Sequence, residues 1–335
     1  MAMFDLPTIW AVLISLALLA YVVLDGFDLG IGILFGFGRT KEQRDTMMNT
    51  VAPVWDGNET WLVLGGGGLF AAFPLAYSIL LTAFYAPIIA MLLALVLRGV
   101  AFEFRFRAER TRKLWDIAFI GGSTTAAFCQ GIMVGAFVQG IEVQDRAYAG
   151  GWFDWLSPFT ILCGFALVAG YALLGASWLV VKTEGPLQAR MRALQLPLGG
   201  LAVLVVGLVS GGTLLQHHLI MERWFSGEAL RWIWIIPILS VALSAGFVLA
   251  VRAKRELLPF MLALGLFVIS FAGLAASMYP HLIPPDITFR EAANAHGSLA
   301  FMLVGALVLL PVILTYTAYN YWVFRGKVRD GEGYH

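Results

Sequence analysis

Nine stretches of apolar residues, each long enough to cross a lipid hydrocarbon layer, follow one another along this 335-residue chain with little between them. A bilayer core takes about 20 such residues per helix. Inside it every backbone polar group must be satisfied within the protein, which makes runs of this kind helical. The stretches lie near residues 8–35, 52–73, 78–99, 114–138, 159–181, 194–215, 231–251, 257–279 and 298–324. The second and third are joined around Pro74 without a charge, but 52–99 as a whole is too long for a single crossing. The expected architecture is therefore an all-α membrane protein of nine transmembrane helices. Composition agrees, with 60% hydrophobic and only 13% charged residues, where a soluble domain has roughly a quarter charged. A net charge of +1 gives no field for nucleic acid. Cys129 and Cys163 both sit inside apolar runs, so neither a disulfide frame nor a thiolate metal site is indicated. The first run begins at Pro7 with no basic residue before it and no small-residue cleavage site behind it, so it is expected to stay as a helix.

Basic residues are retained on the cytoplasmic side of a membrane, and they orient these spans. With the N-terminus periplasmic and the C-terminus cytoplasmic, 18 of the 22 Lys and Arg fall on inner segments; only Arg146, Arg223, Arg231 and Arg290 fall outside. A wrong span count would scramble this split. Tryptophans fall near the expected interfaces, with Trp10, Trp152, Trp155, Trp224, Trp232 and Trp234 outside and Trp55, Trp115, Trp178 and Trp322 inside.

Ionisable groups within spans are costly and usually face a protein interior or a water path. Asp25 and Asp28 are three residues apart on one face of the first helix. They lie roughly 26–30 Å from its outer start. Asp56 and Glu59 repeat the spacing where the second helix enters from the same side, and Glu103 follows the third span beside Arg98 and Arg105. Trp55, Asn58, Trp61 and Arg98 frame these acids as structural or interface residues. A purely structural reading makes Asp56 a helix cap with Glu59 as its capping-box partner, and pairs Asp25 and Asp28 with Arg39, Arg44 or Arg98. The reading preferred for the set is a proton entry path from the cytoplasm, because neighbouring carboxylates hold protons that isolated ones release.

Other motifs are blander. Gly65 to Gly68 form a glycine run within a span, expected to serve close helix packing. A faint echo links Gly26-Phe27 and Gly36 with Gly164-Phe165 and Gly175. The five histidines, His217, His218, His281, His296 and His335, all lie in or beside outer loops or at the terminus, so no span centre offers an axial haem imidazole. Met91, Met133, Met261 and Met302 are expected to be apolar filler, and the His217-His218 pair with Glu222 is expected to be solvated loop rather than a metal site. No phosphate loop, zinc spacing or nucleophile elbow appears, so cofactor chemistry must come from elsewhere.

The segments Asp25-Gly-Phe-Asp28-Leu-Gly-Ile-Gly32, Asn49-Thr-Val-Ala-Pro-Val-Trp-Asp-Gly-Asn58, Leu69-Phe-Ala-Ala-Phe-Pro74 and Arg98-Gly-Val-Ala-Phe-Glu103 resemble the first-helix motif, second-helix entry, second-helix end and third-helix exit of subunit II of the cytochrome bd-type quinol oxidases. The Ala-Pro-Val-Trp wording is closer to the cyanide-insensitive branch. The resemblance is specific over roughly the first 115 residues and general beyond. It implies two four-helix bundles, 8–138 and 159–279, plus a ninth helix at 298–324 in one membrane domain. It also implies an obligate partner, subunit I, which ligates two haem b and one haem d, oxidises quinol near the outer face and reduces dioxygen to water. Subunit II would ligate no haem iron. Its residue matching Asp56 would belong to a path bringing protons from the cytoplasm. In some relatives a quinone sits in subunit II as a lipid-like ligand, and a small single-helix subunit can join the complex. The bacterial cytoplasmic (inner) membrane is the implied location. Two rival readings are a purely structural partner subunit and a stand-alone ion-coupled transporter; the second half of the chain has no intramembrane carboxylate, which counts against the latter.

Overall fold

The structure is a computed structural model that describes residues 5–216, 218–226 and 233–328. The readings made on His217, the His218 side chain, Arg231, Trp232, Arg329 and His335 fall outside these residues. The helices are α1 (Leu6–Leu34), α2 (Lys41–Asn49), α3 (Trp55–Ala72), α4 (Pro74–Ala83), α5 (Tyr85–Arg107), α6 (Arg112–Gln139), α7 (Pro158–Lys182), α8 (Gly185–Gln216) and α9 (His218–Phe225). They continue as α10 (Ile235–Arg252), α11 (Leu257–Met278), the single-turn α12 (Phe289–Ala292) and α13 (His296–Val323). Two short antiparallel hairpins, β1 (Val143–Gln144) with β2 (Ala147–Tyr148) and β3 (His281–Ile283) with β4 (Ile287–Thr288), lie at one end of the bundle. The first turns through Asp145 and Arg146 at φ 49° and 61°, the left-handed pair that a two-residue hairpin requires. The opposite end gathers most of the Lys and Arg and is called the basic end below.

Among the described residues, α1, α5, α6, α7, α8, α10, α11 and α13 are long and apolar enough to cross a membrane. The expected second span, 52–73, corresponds to α3, whose apolarity is diluted by Asp56, Asn58, Glu59 and five glycines. The expected third span, 78–99, is corrected. Phe73 leaves helical geometry (φ −134°, ψ 63°) and Pro74 starts a new helix that ends at Phe84. Only then does α5 begin, at Tyr85, and run on to Arg107. Proline is suited to a first helical turn because its missing N–H is not needed there, so Pro74 and Pro87 mark two starts. The helix α4 is too short to cross and packs against both hairpins. Glu103 consequently lies within α5 rather than after it. The sixth span also begins earlier than 194, at Gly185, and continues through Pro197.

The core centres on α1 and α7. Residues Asp25 to Gly32 of α1 are buried on every side, as are Ala169 to Val180 of α7. This all-round burial follows from a close crossing at glycine. A β-carbon on Gly30 would stand 1.9 Å from the Tyr171 carbonyl oxygen, and one on Gly175 would stand 2.4 Å from the Gly30 carbonyl carbon. Of the four glycines of the faint echo, Gly26 and Gly175 lie between α1 and α7, whereas Gly36 and Gly164 face Ile120 and Phe128 of α6. In the glycine run, Gly65 and Gly68 face Leu18 and Ile14 of α1, while Gly66 and Gly67 have nothing near them. At the hairpin end Asn294 donates from its backbone to Ala72 O (2.9 Å) and from its side chain to Ala71 O (3.0 Å). These bonds satisfy carbonyls that the end of α3 would otherwise leave unpaired.

Candidate functional site

Three helices bring acids and one arginine together near the basic end. Asp25 and Asp28 lie on α1, Asn58 and Glu59 one turn inside α3, and Arg98 midway along α5. Arg98 donates from Nη1 to Asp25 Oδ1 at 2.6 Å and from Nη2 to Glu59 Oε2 at 2.7 Å. The Arg98 and Asp25 side chains are 0% exposed, whereas that of Glu59 is 26% exposed. A guanidinium presents fixed, divergent donors, and here it divides them between two helices. Asp28 has an amide for a partner: Asn58 Nδ2 donates to Asp28 Oδ2 at 2.8 Å and to Leu24 O at 3.3 Å. Tyr321 of α13 donates to Asn58 Oδ1 at 2.9 Å and closes the group. Two carboxyl groups therefore share one guanidinium, and the third, Asp28, stands beside them on an amide. Asp25 Oδ2, Asp28 Oδ1 and Arg98 Nε are buried with no hydrogen-bond partner among the described residues. Buried polar atoms of this kind are few in a native fold, and three of those in the described residues gather in this cluster.

Aromatic rings wall the site. Trp55 stacks on Phe102 with centroids 4.7 Å apart, and Arg98 lies over Trp55 at 5.8 Å. Trp61 is buried one turn beyond Asn58. One turn before Asp25, Tyr21 begins a second polar chain: Gln130 Nε2 donates to Tyr21 Oη at 2.6 Å, and Tyr171 donates to Gln130 Oε1 at 2.9 Å.

Asp56 and Glu103 are not in this cluster. Both are exposed on the bundle's outer surface. The buried face of α3 is defined by Asn58, Trp61 and Gly65. At about 100° per residue, Asp56 is turned some 200° away from Asn58. The same count from the buried Ala101 turns Glu103 outward on α5. The capping-box reading is also not realised: α3 has Val54 at its N-cap without a side-chain bond, and Glu59 reaches Arg98 instead. A second cluster escaped the sequence reading. Arg105 donates to Asp116 at 2.5 Å and to Asp45 at 2.6 Å, while Arg44 reaches Asp116 at 2.7 Å. Its one sequence signal was an acid, Asp116, at the start of an apolar run whose neighbours are basic.

The sequence matches the profile described as cytochrome bd terminal oxidase subunit II over residues 6–324. The chain belongs to this family. It is 32% identical over 361 residues to the cytochrome bd-I ubiquinol oxidase subunit 2 of Escherichia coli (strain K12), covering 96% of this chain and 94% of that one. It is 28% identical to the cytochrome bd ubiquinol oxidase subunit 2 of Bacillus subtilis (strain 168), covering 98% and 99%. The bd oxidase structure from Geobacillus thermodenitrificans shares the fold, with a TM-score of 0.73 at 18% identity over 96% of this chain and 99% of that chain. As a bd oxidase subunit II, this is a multi-pass protein of the bacterial inner membrane and a member of a haem-containing oxidase complex that includes a subunit I.

His281 lies in β3 and His296 at the first residue of α13, both at the hairpin end, and the described cysteines are buried where α6 meets α7. Among the described residues no three His, Cys, Asp or Glu side chains are grouped to hold a metal ion.

Proposed function

We propose that this chain is the subunit of a quinol oxidase that ligates no haem, and that its buried acid cluster admits protons from the cytoplasm for the reduction of dioxygen to water in subunit I. The observation that carries this reading is the excess of carboxyl groups over cations at one buried point: Asp25, Asp28 and Glu59 around Arg98 alone. Such a group retains a proton within the bundle and releases it when a neighbour's charge changes. Glu59, partly exposed at the entry of α3, is the member that meets incoming protons; Asp25 and Asp28 are the buried stores.

Asp56 faces outward from a membrane helix. A carboxylate is costly against lipid, so that face is assigned to subunit I, with Asp56 passing protons across the boundary. Glu103 is assigned to the same path as an exposed acid near the basic end. The reading places the basic end in the cytoplasm, consistent with the distribution of Lys and Arg, and counts α3 as the ninth crossing. Two four-helix units, 8–138 and 159–279, with 298–324 as the ninth helix, form its frame. Subunit I holds the two haem b and the haem d; a small single-helix subunit and a quinone or lipid within this chain fit the same frame.

A purely structural role is the second reading, favoured by the complete burial of the Arg98–Asp25 pair. Turnover separates the two. Asp25→Asn, Asp56→Asn and Glu59→Gln, each in the purified two-subunit complex, are expected to lower oxygen consumption per haem d by about tenfold or more, the scale of a lost proton-transfer group. Unchanged turnover per assembled complex in all three, with lower yield alone, would favour the structural role.

A further inference from the structure

A cavity of about 310 Å³ opens at the basic end between the α2–α3 turn, the end of α7 and the segment after α13, and meets the acid cluster only at Tyr321. Its lining includes Lys182, Lys327, Trp178, Tyr321, Asn49 and Thr50. The volume is within the range that small-molecule sites occupy. Lys182 is only 4% exposed. Its Nζ donates to Gly326 O at 2.8 Å and to Phe324 O, and lies 5.3 Å from the centre of the Trp178 ring. An ammonium has three donors, so one is left. Among the described residues Lys182 has no carboxylate partner. The second cation, Lys327, has Glu256 at 2.9 Å, but that one carboxylate also faces Arg192 at 3.7 Å. A buried cation without an anion is costly unless its site is completed by one.

We infer that this cavity binds the phosphate of an anionic phospholipid, with Lys182 as the buried contact and Lys327 at the rim. The depth fits: Lys182 is the last residue of α7 and Lys327 follows the end of α13, the level at which membrane helices meet headgroups. The Lys182 ammonium lies over the Trp178 ring and bonds the carbonyls of the segment after α13, so the charge sits at the end of the helices rather than in their middle. The chemistry recognised is a phosphate ester anion. A free phosphate ion offers the same charge, but the apolar walls given by Trp178 and Val323 suit the glycerol and first methylenes of a lipid.

The test uses the complete two-subunit complex, delipidated in detergent and then exposed to phosphatidylglycerol or phosphatidylcholine, with retained lipid counted by native mass spectrometry. The wild type is expected to retain one phosphatidylglycerol more firmly than phosphatidylcholine. Lys182→Gln and Lys327→Gln are each expected to weaken retention about fivefold, the scale of one basic residue at a membrane surface; Lys182→Arg is expected to keep it. Lys327→Gln serves alone where Lys182→Gln fails to assemble, because Lys327 is partly exposed. Inorganic phosphate at millimolar concentration is expected to leave the retained lipid in place. Displacement of the lipid by phosphate would identify the free ion as the ligand and overturn the lipid assignment. Equal retention of both lipids, or wild-type retention of phosphatidylglycerol in the Lys182→Gln and Lys327→Gln complexes, would also overturn it, leaving Lys182 as a tie for the end of α13 alone.

Discussion

Replacing Arg98 by methionine is expected to prevent accumulation of the assembled subunit in the membrane. The substitution keeps length and apolar bulk but removes the only cation of the cluster, leaving Asp25 fully buried and unpaired and Glu59 without its partner. Breaking a buried pair from one side costs about 3–5 kcal/mol, against a total stability of about 5–15 kcal/mol for a typical domain. Arg98→Lys preserves the charge but not the fork, so it can serve one acid at a time and is expected to assemble in reduced amount. The double substitution of Arg98→Met with Asp25→Asn removes both charges and is expected to recover part of the loss; that recovery measures the coupling between the two residues. Immunodetection of the subunit in membranes, with haem d absorbance for the complex, reads all three. Normal accumulation of the Arg98→Met protein would mean that this ion pair does not hold α1 and α5 together.

Gly30→Ala is expected to have an effect of similar size for a different reason. The new methyl would stand 1.9 Å from the Tyr171 carbonyl oxygen, and the nearest atoms are backbone that no rotamer change can move. The helices α1 and α7 must separate. Overpacking typically costs about 1–3 kcal/mol and more where the backbone resists, and at this crossing it also displaces Asp25 and Asp28, which share α1 with Gly30. Gly175→Ala is expected to behave alike from the other side. Gly207→Ala on α8 is the control, since a β-carbon there meets nothing within 4 Å. Thermal inactivation of the purified complex should fall sharply for Gly30→Ala and Gly175→Ala and stay near wild type for Gly207→Ala. Equal stability of all three would deny the tight crossing.

Much of the fold was legible because lipid imposes a simple rule on a sequence. Run length and the placement of Lys and Arg were enough to locate seven of the eight described helices that are long and apolar enough to cross a membrane. The rule failed at 78–99, where α4 and the start of α5 are equally apolar and only the backbone at Phe73 and Phe84 distinguishes a rim helix from a crossing. In the site, the spacing of Asp25 and Asp28 and the proximity of Arg98 were readable, since charges in apolar runs stand out. The spacing of Asp56 and Glu59 misled, because three residues at a helix start do not fix which face is buried; Asn58 and Trp61 did that through packing. Tyr321 was beyond reach, being 263 residues from Asn58 and on a helix with only Leu299 buried. The chain Tyr21, Gln130 and Tyr171 was missed for the same reason: tyrosine and glutamine carry no charge to mark them in a hydrophobic run.

Proton uptake resolved in time is the most direct measurement of the role assigned to the acid cluster. The two-subunit complex would be placed in liposomes with a pH indicator on the side facing the basic end, and a single turnover would be started by oxygen on the fully reduced enzyme. Glu59→Gln and Asp28→Asn complexes, matched to wild type in haem content, are expected to transfer electrons to oxygen at first as the wild type does, but to take up protons from that side at least about tenfold more slowly. Wild-type uptake kinetics in both variants would contradict the proton-entry role and leave the cluster as a structural clamp between α1, α3 and α5.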